Sequence, residues 1–315
     1  MNLFVSLKYL VALDDHRHFG RAALACHVTQ PALSNALRAL EENFGTAIVK
    51  RGRNFGGFTA EGERILISAR TMLREQELLE QDLRSRGDEP QGHLLIGSVP
   101  TAMPIAARFA AMLQDRHPGI VPTARSMSSV ELETRLESLA LDMGLGYTER
   151  TDSSRAQLSI VPQYPEQYFL LRKAVGTPGG ALRLGPAIGW AEAATFPLCL
   201  LSAEMHNRTI VDRAFLAAGV QPKAAIETNS ILTLALSVVA GRVCSVMPGA
   251  LVGVVRGYGE LEALPLIGPQ VEVPVAFMVH ETNRPSRTLE AALMLARDPV
   301  WLAQAAQHSG MRDVG

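Results

Sequence analysis

Three groups of residues in this 315-residue chain have side chains at spacings that could do chemistry. The first lies in "VTQPALSNALRALEENFG". At about 100° per residue, Gln30, Ser34, Asn35 and Arg38 fall on one arc of a helix, and Leu33, Ala36, Leu37, Leu40 and Phe44 on another. Thr29 is a good N-cap type, which makes Pro31 the second helical residue, where a missing N–H costs little. Such a helix offers hydrogen-bonding side chains at a stiff tip, as reading base edges in a major groove requires. A solvated polar face is the bland alternative. The second group is the hydroxyls of Ser98, Thr101, Ser202 and Ser245 at the ends of apolar runs. At helix starts they and free N–H groups could hold a small anion. The third is the thiols and imidazoles. Cys26, Cys199 and Cys244 are far apart and fit no C-x-x-C pattern. Cys199, inside "FPLCLLS", reads as a buried structural thiol. His16 and His18 flank Arg17 with no further ligand at metal spacing, so a surface turn is expected and no metal. The sequence has no G-x-x-x-x-G-K-[ST] loop, no G-x-S-x-G elbow and no H-E-x-x-H helix, so neither catalysis nor a cofactor is expected.

Composition narrows the field. With 47% hydrophobic and 19% charged residues and a net charge of −1, this is an ordinary globular chain and not a generally basic one. Residues 1–58 nevertheless carry seven basic against four acidic residues, with Lys50, Arg51 and Arg53 clustered. No apolar run reaches the roughly 20 residues that span a bilayer, so no membrane partner is expected. The N-terminus has no basic leader or small-residue cleavage site, and the cysteines suggest no disulfide framework. A reducing cytoplasm is the expected compartment.

The elements that must position these groups follow from periodicity. Three short helices are predicted within 1–44, then a hairpin or wing in "IVKRGRNFGGFT". Thr59 caps a long helix. In it Ile65, Ala69, Met72, Gln76, Leu79 and Leu83 are spaced 4, 3, 4, 3, 4, a heptad seam that predicts dimerisation more than packing on its own domain. "SRGDEPQG" reads as a linker. From residue 92 to 300 strand and helix patterns alternate, which predicts an α/β domain of two lobes with largely parallel sheets. The expected divisions are 1–58, a linker and hinge at 59–91, and 92–300, with a first lobe of about 92–163 and 266–300 and a second of about 164–265. A tail at 301–315 completes the chain.

"FGRAALACHVTQPALSNALRALEENFGTAIVKRGRNFGGFTAEGERIL" resembles the N-terminal signature of LysR-type transcriptional regulators. The carrying features are Ala22–Ala23, V-T-Q-P-A-L-S, L-E-x-x-F-G, Arg51 and F-T-A-E-G. "LLIGSVPT", "ARFAAMLQDRHPGI", "LDMGLGY" and "VVAGRVCSVMP" extend the similarity more weakly. The resemblance implies a winged helix-turn-helix, a linker-helix dimer, and an effector module of two Rossmann-like lobes resembling periplasmic binding proteins. It also implies a non-enzymatic homodimer or homotetramer on double-stranded operator DNA, with RNA polymerase as a further partner. By position Gln30, Pro31, Ser34 and Arg38 face DNA, with Asn35 on the same arc; Thr29 touches phosphate, and Arg51 and Arg53 lie at the wing. "AIVK" and "NFGGF" depart from the family's usual wing. The effector residues carried over are Ser98, Val99, Pro100 and Thr101 after the first strand, Ser128 and Ser129 after the second, and Tyr147 after a fourth. Leu201, Ser202, Met205, His206, Asn229 and Met247 come from the other lobe. A small organic anion, such as a carboxylate, is the expected effector. Two rivals remain. A thiol redox sensor is one, although the loop "SAEMHNR" holds no cysteine where some members keep theirs. A solute-binding protein built on the same lobes is the other; the absent leader and the extra N-terminal segment argue against it.

Overall fold

The computed structural model describes residues 2–50, 52, 55–84, 89–149, 158–175, 180–281 and 285–309. The chain divides into two compact units, Met1–Glu89 and, apart from Ser138–Ala140, everything from Pro90 onward. In the first, α1 (Leu3–His16), α2 (Phe19–Ala25) and α3 (Gln30–Phe44) pack around Leu7, Leu10, Leu13, Leu33, Leu37 and Leu40. Ala22 and Ala23 are both buried, and their small size lets α2 approach its neighbours closely. Gly45, at φ 65°, ends α3 in the left-handed region that glycine enters without a Cβ penalty. The expected wing is narrower than a hairpin. Among the described residues it has a bridge between Val49 and Phe58, and Lys50 N donates to Gly57 O at 2.9 Å.

Helix α4 (Ala60–Arg84) begins where Thr59 Oγ1 accepts Gly62 N at 2.9 Å and donates to Ala47 O at 2.6 Å. Its seam does two jobs. Ala69 is buried with Leu66 in the unit's own core, and Ile65 packs against it, so the first half of the predicted dimer seam is partly intramolecular. Met72, Leu79 and Leu83 remain 44%, 60% and 77% exposed, so this unit's own core does not cover the outer half. Gln76 Nε2 donates to Glu80 Oε1 at 3.0 Å.

The second unit holds two sheets. The first has the order β2-β1-β3-β12-β4, from β1 (Gly92–Ser98), β2 (Ile120–Ser126), β3 (Met143–Tyr147), β4 (Leu158–Glu166) and β12 (Val273–His280). The main path of the second runs β6-β11-β5-β10-β8-β9. Its strands are β5 (Tyr168–Lys173), β6 (Arg183–Leu184), β8 (Leu198–Leu201), β9 (Ala224–Thr228), β10 (Cys244–Pro248) and β11 (Leu261–Ile267), and β7 (Ile188–Gly189) pairs with β11 off this path. The sheets are mixed, not largely parallel. β12 runs antiparallel to both β3 and β4, and β5 runs antiparallel to β10 and β11. These are the strands where the chain leaves one lobe and returns to it, and each return reverses direction. The changeovers fall at Gln167 and between Ile267 and Val273, slightly later than the sequence reading has them. Helices α5 (Met103–Arg116), α6 (Ser129–Glu137), α7 (Trp190–Ala193), α8 (His206–Ala217), α9 (Ile231–Ala240), α10 (Gly249–Val252) and α11 (Arg287–Ala296) follow strands or cover the sheets.

The predicted tail is in fact built into the core through His308. Helix α12 (Pro299–His308) starts on an Asp298 cap and buries Trp301 completely against Phe109. Trp301 Nε1 donates to Gln163 Oε1 at 2.6 Å, so the indole satisfies its one donor inside the core.

Candidate functional site

The tip of α3 follows from local sequence. Thr29 is extended (φ −77°, ψ 149°), its Oγ1 accepts Ala32 N at 3.3 Å, and Pro31 occupies the second helical position. Leu33, Leu37 and Leu40 point into the core; Thr29, Gln30, Pro31, Asn35 and Arg38 are exposed, and Ser34 is half-buried. Gln30 lies along α2: a Cβ placed on Gly20 would come within 3.4 Å of Gln30 Oε1. The polar arc therefore presents amide, hydroxyl and guanidinium groups from one rigid helix face. Arg51 and Arg53 lie outside the described residues.

The first unit also holds a surface cavity of about 370 Å³, lined by Leu7, Phe44, Ile65, Ala69 and Met72 among others. It opens on the same helix face as the predicted seam.

In the second unit the strand ends of both lobes meet in a buried polar cluster. Thr101, in the short 3-10 turn Pro100–Ala102 after β1, lies 2.7 Å from the Tyr147 hydroxyl. Tyr147 closes the third strand, not a fourth. Asn207, in the first turn of α8, donates from Nδ2 to Tyr147 Oη and to Tyr168 Oη, each at 2.9 Å. The His206 ring sits 5.4 Å from that of Tyr147. Glu166, fully buried at the end of β4, accepts Ala250 N at 3.2 Å and lies beside the Tyr164 hydroxyl. Burial pushes its carboxyl up to about 8, against the pull of the Ala250 and Gly249 N–H groups and Tyr164. Burial likewise raises all three tyrosines, so their hydroxyls stay protonated.

Of the residues chosen from sequence, the structure brings Thr101, Tyr147 and His206 together. Others it withdraws. Ser98 is fully buried and its Oγ donates to its neighbour's carbonyl, Val99 O. Val99 is buried with its N–H on Leu145 O. Leu201 and Met247 sit in the second lobe's own core with Phe169 and Leu171. Ser245 Oγ points to Cys199 O, inside the sheet. All five are buried, so their side chains pack in the interior although Ser98 and Leu201 end their strands. Pro100 starts the 3-10 turn, Ser128 Oγ caps α6 by accepting Glu131 N, and Ser129 is buried in that helix. Ser202 Oγ donates to Glu204 Oε1, Met205 packs partly on the second-lobe core, and Asn229 is exposed. Tyr164, Glu166, Tyr168 and Asn207 escape the sequence reading. The alternation in "YPEQY" is the signal that could have marked the first three as one lining.

The thiols are set apart by the sheet. Cys199 and Cys244 lie on neighbouring parallel strands one register step apart, since Cys244 pairs with Leu198 and Cys199 with Ser245. Successive side chains alternate faces, so the two thiols enter different core clusters. Burial raises both. Among the described residues no group of three or more His, Cys, Asp or Glu could hold a metal ion, and no helix is long and apolar enough to cross a membrane.

Residues 4–63 match the family model described as bacterial regulatory helix-turn-helix protein, lysR family, and residues 87–299 match the LysR substrate binding domain. Among curated proteins the DNA-binding transcriptional dual regulator OxyR of Escherichia coli (strain K12) is 37% identical over 137 residues, 43% of this chain and 45% of that protein. The match thus spans about half the length of such relatives. A hydrogen peroxide-inducible genes activator of Haemophilus influenzae is 29% identical over 252 residues, 77% of this chain and 78% of that one. Among solved structures, a full-length OxyR cysteine-to-aspartate variant from Pseudomonas aeruginosa superposes with a TM-score of 0.69 at 23% identity, covering 99% of each chain. Full-length CbnR complexed with its target DNA gives 0.60 at 21% identity, covering 92% of this chain and 99% of that one. At those identities the likeness shows the fold.

Proposed function

The chain belongs to the LysR family of transcriptional regulators, and on that premise we propose that it binds operator DNA as a homo-oligomer, in the cytoplasm, under the control of a small molecule held between its two α/β lobes. It acts by binding and population shift, with no chemistry on the ligand. The observation that carries the reading is the α3 tip, where a threonine-capped, proline-stiffened helix exposes Gln30, Asn35 and Arg38 over a core made by its opposite face. The test is selection of a duplex from a random-sequence pool by the full chain, followed by titration against salt. Sequence-selective, salt-dependent binding is expected, and failure to enrich any sequence would sink the proposal. On the selected duplex, Gln30→Ala or Ser34→Ala is expected to weaken specific binding by about 1–3 kcal/mol with the fold intact. An unchanged specificity ratio would remove the polar arc from the interface.

The seam supports the oligomer. Its spacing is a palindrome, so an antiparallel pair of α4 helices centred near Arg74 would set Leu83 over Ile65, Leu79 over Ala69 and Gln76 over Met72. The partner's exposed leucines would then fill the cavity lined by Ile65, Ala69 and Met72. Leu79→Asp should dissociate dimers in sedimentation velocity, whereas Gln76→Leu should keep or strengthen them while relaxing register. Dimers that survive Leu79→Asp would place the interface elsewhere.

The ligand reading shifts toward an uncharged molecule. Arg208, beside Asn207, is already committed to Asp212 at 2.7 Å, Glu227 at 3.0 Å and Leu201 O at 2.6 Å. With Glu166 protonated at neutral pH, the described groups of the junction are hydroxyls, an amide, an imidazole and a neutral acid. None of these groups is an arginine or a lysine, so a carboxylate meets no permanent cation among them. A thermal-shift series pairing small carboxylates with their amides decides the point: stronger stabilisation by the carboxylates would restore the anion. Peroxide, which the names of the relatives carry, would meet Cys199 and Cys244 buried on opposite sheet faces and Cys26 half-buried, so no pair of thiols stands ready to join.

A further inference from the structure

We propose that Arg70, Asp14 and Arg17 form a relay that fixes the described end of the wing, Phe55 to Phe58, from the long helix α4, which makes Arg70 and Asp14 positioning residues for DNA binding. The inference rests on the DNA-binding reading above and adds a part that touches no DNA. Arg70 is 8% exposed and its Nη2 donates to Asp14 Oδ2 at 2.8 Å and to Asp15 Oδ1 at 2.9 Å. The other Asp14 oxygen lies 2.9 Å from Arg17 Nη2. One carboxylate thus holds two guanidinium groups, one from each of two distant parts of the sequence.

Arg17 is the turning point. It leaves α1 in the left-handed region, at φ 47°, while its N–H still closes the helix on Leu13 O. Its guanidinium carbon stands 5.9 Å from the centroids of both Phe55 and Phe58, within the range where a ring quadrupole attracts a cation. The two rings meet edge-on at 5.1 Å, and Phe55 meets Phe19, the first residue of α2, edge-on at 6.0 Å. Among the described residues the main chain contributes the Val49–Phe58 bridge and the Lys50–Gly57 bond, and Glu41 Oε1 accepts Ile48 N and Val49 N at the base. The side chains add a further hold: Phe55 and Phe58 stand under the Arg17 cation, with the cation held by Asp14 and Asp14 by Arg70. The "NFGGF" that departs from the family's usual wing supplies both rings.

The test uses the full chain and the duplex that the unaltered chain selects. Asp14→Asn keeps the shape and removes the charge that both arginines share. Expected are a loss of affinity on the order of tenfold and a salt slope shallower by about one phosphate contact or more. Hydroxyl-radical protection should be lost at the flanks of the site and kept at its centre, where α3 sits. Combining Asp14→Asn with Phe55→Leu should lose no more than the worse single change, because both cut one path. Unchanged affinity and slope, protection lost uniformly across the site, or losses that multiply in the double variant would overturn the relay. Should Asp14→Asn fail to fold, Arg17→Lys keeps the charge but not the planar face. The same flank-only loss is then expected, and full retention of flank protection refutes the proposal. If the unaltered chain selects no duplex, the DNA-binding reading fails first, and separately.

Discussion

Gly62→Ala will destabilise the N-terminal unit by about 1–3 kcal/mol and weaken its binding to DNA, against the usual direction for that substitution in a helix. Gly62 is the third residue of α4, and its backbone is ordinary helix. By propensity alone alanine would stabilise it by about 1 kcal/mol. The neighbour decides otherwise. A Cβ there would lie 2.2 Å from Ile48 O and 3.0 Å from Ile48 C. Both are backbone atoms, and the same carbonyl accepts Thr59 N at 2.9 Å. Relief would require moving the fully buried Ile48 or the capped start of α4, and overpacking of this kind costs about 1–3 kcal/mol, occasionally more. Two-state urea unfolding of the variant measures it. A gain in stability would mean that α4 starts farther from Ile48 than the structure has it.

Glu166→Gln will change how stability depends on pH. The buried carboxyl has its proton affinity raised from 4.5 to about 8, chiefly by burial. The folded state therefore binds a proton that the unfolded chain releases near the ordinary carboxylate value. The stabilisation is complete below that value and is lost as pH rises through about 8. Between pH 5 and 8.5 the parent should lose roughly 3–5 kcal/mol from this group. Glutamine imitates the protonated acid and keeps an acceptor for Ala250 N. The variant should therefore show a flatter melting profile over that range and be more stable than the parent at pH 8.5. If both chains fall in parallel above pH 6, the carboxyl is not the titrating group.

What was legible in the sequence was local. Thr29, Pro31 and Gly45 write the limits of α3 in side-chain and backbone chemistry that acts within one turn, and the structure keeps all three roles. The alternation of strand and helix along the chain was legible in part for the same reason, strand direction less so. Nothing within β5 or β12 states that it runs against its neighbours; that depends on where the chain crosses between lobes. The heptad spacing of α4 marks a face but cannot say that Ala69 serves its own core while Leu79 and Leu83 do not. The junction was harder still. Hydroxyls at strand ends were chosen by type, yet Ser98 and Ser245 turn inward, and Tyr164, Glu166 and Tyr168 do the lining from a crossing segment that reads as plain strand. Trp301 looks like part of a trailing end until Gln163, distant in sequence, is placed against it.

The Asn207 amide has one further consequence. Both of its hydrogens are already taken, by tyrosine oxygens that belong to different sheets. A ligand that parts those sheets must replace each bond it breaks, so polar contacts alone leave it no better off than the closed protein. Its net affinity has to come from shape and from water released by apolar atoms. On the proposed reading, selectivity at this junction is then set by how well a molecule fits, whatever number of hydrogen bonds it can make.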